Sequence, residues 1–215
     1  MNPVATEAKF MGTVTALSMH EMQNILAIIR ESAGLMGDVL KINAQVDFKY
    51  RPKMEQTLEH ITSQIDRGKK LLEATSRLAH SPDEDLLLSC DLNIYARTVA
   101  LLSERQVRLK GARVNFTPAA TPLPVAVGAL MVLMAGYRAV QWAVNTHIKD
   151  GYVQINLQAG DTEHALIITP PVGLCPDVRL LDPASISLPG QNARTHWDGN
   201  KLFLFFPTQQ AADHE

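Results

Sequence analysis

The chain has 215 residues, 46% hydrophobic and 20% charged, with a formal charge of −2. That profile is an ordinary globular one, long enough for one large or two small domains with a sizeable core. The near-neutral balance gives no electrostatic case for nucleic acid or an anionic membrane as partner.

The first element in chain order is a helix from about Thr13 to Ile42, roughly 45 Å long. Met22, Ile25, Ile29, Ala33, Met36 and Leu40 step by three or four and form its apolar stripe. Within it, MHEMQNIL sets His20, Glu21 and Asn24 in an H-E-x-x-N arrangement. Residues at i and i+4 share a helix face, so His20 and Asn24 point the same way with Glu21 beside the imidazole. His20 lies roughly 180° around the helix from Ile29, away from the packing stripe. A neutral imidazole is a competent nucleophile near pH 7, and a neighbouring carboxylate can fix its tautomer by accepting one N–H. The bland reading of the same five residues is a solvated histidine on a charged face.

A polar turn near Ala44–Tyr50 follows, and Pro52 suits the first turn of a second helix. There Met54, Leu58, Ile61, Ile65 and Leu72 repeat at heptad-like spacing, with the charged residues mostly off the seam. Two such helices bury two long stripes poorly as an isolated pair. A second copy would close a four-helix bundle, so the expectation is a homodimer; the alternative is packing against the chain's own second half. Pro82 with Asp83, Glu84 and Asp85 marks the end of this helix and a linker, dividing the chain into 1–82 and 83–215.

The second region changes character. Asp91 is placed to cap a helix running to about Lys110, with Gly111 ending it. Arg113 to Phe116 alternates like a short strand, and Pro124 can open a long apolar helix. That segment, Val125 to Val144, contains Gly128, Gly136, Arg138 and Gln141, so it reads as a buried helix, not a membrane span. Gly151–Leu157 and Ala165–Thr169 read as strands about the turn Ala159-Gly160-Asp161, and Lys201–Pro207 as a last strand. The order implies an α/β sandwich, a mixed sheet covered by helices on one side.

The histidine box resembles the phosphoacceptor segment of two-component histidine kinases. The order of the later elements, opening with DLNIYARTVALLSERQVRLKGARVNF, resembles the ATP-binding domain that follows it. The resemblance implies an α+β chain: a hairpin forming a dimeric four-helix bundle, then a degenerate histidine-kinase ATPase domain. It also implies roles. His20 takes the phosphoryl group, Glu21 tunes the ring, and Asn24 helps place a water for dephosphorylating a partner.

The nucleotide motifs depart from that family. Its paired asparagines fall either on Val132 and Gly136 or on Gln141 and Asn145, and one sequence leaves both registers open. Its adenine-reading D-x-G-x-G corresponds to Thr169-Pro170-Pro171-Val172-Gly173, which keeps only the last glycine. The phosphate-cradling lid, between Cys175 and Trp197, retains a single glycine, Gly190. No cofactor is therefore expected: ATP binding is lost, and magnesium would come with a partner receiver's acidic pocket.

The resulting expectation is a dimeric histidine phosphotransferase of a phosphorelay. It would exchange phosphoryl groups between His20 and the aspartates of response-regulator receiver domains. Whether it counts as an enzyme is left open. The alternatives are an ATP-dependent autokinase with divergent motifs, a phosphatase module using Asn24, and a non-catalytic docking scaffold. Two isolated cysteines, Cys90 and Cys175, suit a reducing cytoplasm, and the N-terminus shows no signal pattern. His60, His80, His147, His164, His196 and His214 fall into no metal-ligand spacing. Ala27, Ile28 and Glu31 are the candidates for receiver docking, with Ile28 alternatively packed within the dimer.

Overall fold

In a computed structural model the described residues are 3–46, 48–84, 89–144, 151–171 and 194–209. The chain divides into two compact units, Met1–Ala79 and His80–Glu215.

The first unit is built from α1 (Pro3–Ile42) and most of α2 (Arg51–Glu84). Its inner seam uses Leu26, Ala33, Gly37 and Leu40 of α1 with Leu58, Ile65 and Gly68 of α2. Ala33 and Ile65 are buried, and a β-carbon at Gly68 would meet Leu26 Cδ1 at 3.0 Å. Arg30 Nη1 donates to Asp66 Oδ1 at 2.6 Å beside this seam. At the turn, the Arg51 guanidinium donates to the carbonyl of Leu40 in the last turn of α1 and to those of Asn43 and Val46 just beyond it. One side chain in the first turn of α2 thus fixes the reversal.

Two boundaries differ from the sequence expectation. Helix α1 begins at Pro3, not Thr13, because the intervening ATEAKFMG is mostly made of good helix formers. Helix α2 continues through Pro82 to Glu84, so proline sits within its last turn and does not end it.

The second unit is α+β. Strand β1 (Cys90–Asp91) leads into α3 (Leu92–Leu109), then β2 (Ala112–Phe116) and β3 (Pro124–Val125). Next come α4 (Ala129–Ala143), β4 (Gly151–Gln158), β5 (Glu163–Thr169), β6 (Arg194–Trp197) and β7 (Leu202–Pro207). The main sheet runs β2-β4-β5-β7-β6, with β2 and β4 parallel and the other pairs antiparallel. Helices α3 and α4 cover one face. Val99, Val107, Val132, Ala139, Leu166, Ile168, Leu204 and Phe206 are all buried between those layers.

Asp91 is the N-cap of α3: its Oδ1 accepts from Asn93 N and also from Leu123 N, each at 3.0 Å. Gly111 follows the helix with φ of 84°, a left-handed conformation that glycine adopts without steric cost. Pro124 does not open the long apolar helix. It lies in β3, paired with Asp91, and α4 begins at Ala129 after Gly128 as N-cap.

Candidate functional site

His20, Glu21 and Asn24 stand near the middle of α1, and all three are exposed. Helical geometry explains the placement. Counting 100° per residue from Ala33 at the centre of the inner seam, His20, Asn24, Ala27 and Glu31 all fall on the opposite face. Ala27 and Glu31 are likewise exposed, and Ile28 beside them is 64% exposed. Among the described residues no hydrogen bond joins His20 to Glu21.

A second stripe of α1 lies between the seam and the histidine face. Ile25, Ile29, Met36 and Val39 step by four, seven and three residues and, with Met22 nearer the seam, are each about half exposed in the single chain. Where this stripe reaches α2, Met36, Tyr50, Met54, Leu58 and Ile61 line an apolar hollow of about 310 Å³. The hairpin thus has three faces: one closed on itself, one apolar and open, and one polar that carries the histidine box.

In the second unit both asparagine registers can be located in part. Val132 is fully buried. Gly136 lies against α3 and β5: a β-carbon there would meet Val99 Cγ2 at 2.9 Å and Leu166 Cδ2 at 3.1 Å. Both positions of that register therefore point into the core. In the other register Gln141 Nε2 donates to Gln106 Oε1 at 3.2 Å, and Tyr137 Oη donates to the same oxygen at 2.8 Å. Gln141 is thus tied to α3. Its register partner Asn145 lies outside the described residues.

Thr169 closes β5, and Pro170 and Pro171 after it are buried. Val172, Gly173 and the lid stretch up to Ala193, including Cys175 and Gly190, lie outside the described residues, as do His147 and His214. Arg194–Trp197, the end of that stretch, forms β6, which the sequence reading did not anticipate. Trp142 and Trp197 meet edge to face at 5.1 Å between ring centroids, the packing contact expected of core tryptophans.

Gln106 was missed by the sequence reading; a lone glutamine in a helix carries no local signal of what it will bond. His164 was set aside as a metal ligand but has its own environment. It is buried at the start of β5 and accepts from Gly160 N at 3.3 Å through Nδ1. Burial pushes its pKa below the usual 6.5, opposed by the Asp91 carboxylate. Among the described residues no cluster of three or more His, Cys, Asp or Glu could hold a metal ion, and no helix is long and apolar enough to cross a membrane.

No family model and no curated protein matches the chain. Solved structures with some likeness are histidine kinases. The catalytic domain of ThkA is 17% identical, covering 56% of this chain and 94% of that domain, with a TM-score of 0.44. AdeS of Acinetobacter baumannii is 12% identical over 88% of this chain and 98% of its own, with a TM-score of 0.42. ThkA in complex with the response regulator TrrA is 13% identical over 97% of this chain and 68% of that chain, with a TM-score of 0.43. At these identities and scores, a functional assignment has to come from the chain's own residues.

Proposed function

We propose that this chain is a histidine phosphotransferase of two-component signalling, relaying phosphoryl groups between receiver aspartates through His20. The observation that carries the reading is the H-E-x-x-N box on an exposed helix face, clear of both the inner seam and the open apolar stripe. A relay nucleophile must be reached by two different partners in turn, and an exposed mid-helix imidazole meets that requirement.

In the forward step an unprotonated ring nitrogen of His20 attacks the phosphorus of a receiver's aspartyl phosphate. The P–N bond forms as the P–O bond to the aspartate breaks, and the carboxylate leaves with its electron pair. The reverse step delivers the same group to a second receiver. Glu21 would hold the ring by accepting from the other nitrogen, and Asn24 would orient a water toward a partner's phosphoaspartate. Magnesium would enter with the receiver. The hairpin would work as a homodimer, its open stripe closing a four-helix bundle with a second copy. The functional hairpin would span 1–82 and the sandwich domain 83–215, in the cytoplasm.

The core-facing positions of Val132 and Gly136 and the commitment of Gln141 to Gln106 favour relay over autokinase chemistry. They leave neither register with two carboxamides aimed at a nucleotide.

The test is label transfer to purified protein from gamma-labelled ATP and, separately, from a labelled phosphorylated receiver, with His20→Ala as control. Label arriving from the receiver alone, and only with His20 present, is the expected result. Label from ATP alone would restore an autokinase. Receiver dephosphorylation that survives His20→Ala but not Asn24→Ala would make the protein a phosphatase. A receiver that binds without transfer or dephosphorylation would leave a scaffold.

A further inference from the structure

Strand β2 is the outer strand of the main sheet, and among the described residues only β4 pairs with it. Its backbone bonds show which groups are left over. Thr117 N donates to Ile155 O at 2.9 Å, so the backbone groups of residues 113 and 115, in the same phase, also turn toward β4. Those of Val114 and Phe116 turn outward, while Ala112 at the start of the strand is buried. Among the described residues no hydrogen bond reaches the outward groups.

The side chains along this edge alternate. Arg113 and Asn115 are exposed on one face, while Val114 and Phe116 are half-buried on the other, continuous with the core. Arg97 of α3 sits over the Phe116 ring at 5.9 Å. At the start of the strand a cleft of about 840 Å³ spans β2 and β4, lined by Glu104 and Arg108 of α3, Gly111 to Val114, and Gly151 and Tyr152 of β4. The charge around it is lopsided. Residues 104–113 carry Arg105, Arg108, Lys110 and Arg113 against Glu104 alone, a net +3 in a chain whose total is −2. Arg108 is paired with Glu104, which leaves Arg105, Lys110 and Arg113 to set the local field.

We infer that the outer edge of β2 takes up an extended acidic segment of another protein as an added strand. The outward N–H and C=O groups of Val114 and Phe116, unpaired among the described residues, supply the ladder. The alternation supplies the specificity: acidic side chains of the incoming strand lie over Arg113, apolar ones over Val114 and Phe116. A second copy of this chain is a poor occupant. Pairing identical edges sets one basic cluster against another, and like charges opposed across a ladder destabilise it.

The test uses fluorescence anisotropy with a labelled hexapeptide alternating glutamate and valine. It should bind the intact protein and weaken about tenfold on Arg113→Glu, a substitution at an exposed side chain. A peptide with alternate amides N-methylated keeps the charge but loses the ladder donors, and should also weaken about tenfold or more. That arm alters no residue of the protein, so it holds even if the variant misfolds. A peptide alternating lysine and valine should not bind. Failure of the glutamate peptide to bind would overturn the proposal, as would equal binding of its N-methylated form.

Discussion

A β-carbon built on Gly136 would stand 2.9 Å from Val99 Cγ2, so α4 touches α3 at a turn where no side chain fits. Val99 is almost fully buried and β-branched, and the gap cannot widen by swinging a flexible tip. Gly136→Ala gains helix propensity of about 1 kcal/mol. It then forces the core apart, at a cost typical of overpacking, about 1–3 kcal/mol. The net result should be a lower urea midpoint for the second unit. An unchanged or higher midpoint would mean that α4 and α3 are not packed this closely.

Gly68 in α2 offers the contrasting case. Its nearest neighbour is Leu26 Cδ1 at 3.0 Å, the end of a half-buried side chain that can turn aside. Here the propensity gain should prevail, and Gly68→Ala should stabilise the hairpin by up to about 1 kcal/mol. Gly68→Val, stiffer and bulkier, should lower the melting temperature. Thermal unfolding of the two variants side by side decides between a yielding and an unyielding seam.

The open apolar stripe sets an expectation for association. Wild-type protein should sediment as a dimer, and Met36→Glu with Met54→Glu should weaken that dimer by about a hundredfold or more. Each substitution places a carboxylate in what would be a dry interface. Sedimentation of wild type as a monomer at high concentration would remove the bundle from the proposal.

His164 makes stability depend on pH in one direction. Its pKa is lowered in the fold, mainly by burial, so the folded chain prefers the neutral ring while the unfolded chain titrates near 6.5. The stabilisation is complete above that pH and is lost as the pH falls through the lowered folded value. The urea midpoint of the second unit should therefore drop as the pH falls below about 6.5, and His164→Gln should flatten part of that drop. Identical pH profiles for the two proteins would show that His164 titrates alike in the folded and unfolded states.

Elements with a strong local signal were legible in the sequence. The hairpin's heptad-like spacing, the Asp91 cap, the Gly111 stop and the β4–β5 turn all rest on residues close together in the chain. What escaped were pairings between distant residues. Strands β1 and β3 are two residues each and exist through the register Cys90↔Val125, which no local pattern announces. The same contact draws Pro124 out of the helix that its sequence context suggested. Strand β6 escaped for a related reason, since Arg194–Trp197 is held by its pairing with β7.

For the site, the exposure of His20, Glu21 and Asn24 followed from helical period alone. The seam was only half legible. The stripe read from the sequence merges two faces, one closed on α2 through Ala33 and one left open at Ile25, Ile29 and Met36. A single helix cannot say which neighbour takes which side of a broad apolar face.

The sheet register has a temporal consequence. The two helices of the hairpin meet across a short turn pinned by Arg51, whereas Ala112 must find Gly151 and Leu166 must find Leu204. Contacts distant in sequence are slow to close because the loop entropy is lost before any pairing compensates for it. Refolding should therefore begin with the hairpin, the helix carrying His20 being in place before the sheet assembles. During synthesis the same order holds, because the hairpin leaves the ribosome before the second unit. The open apolar stripe is thus presented to its surroundings before the sheet of the second unit has been made.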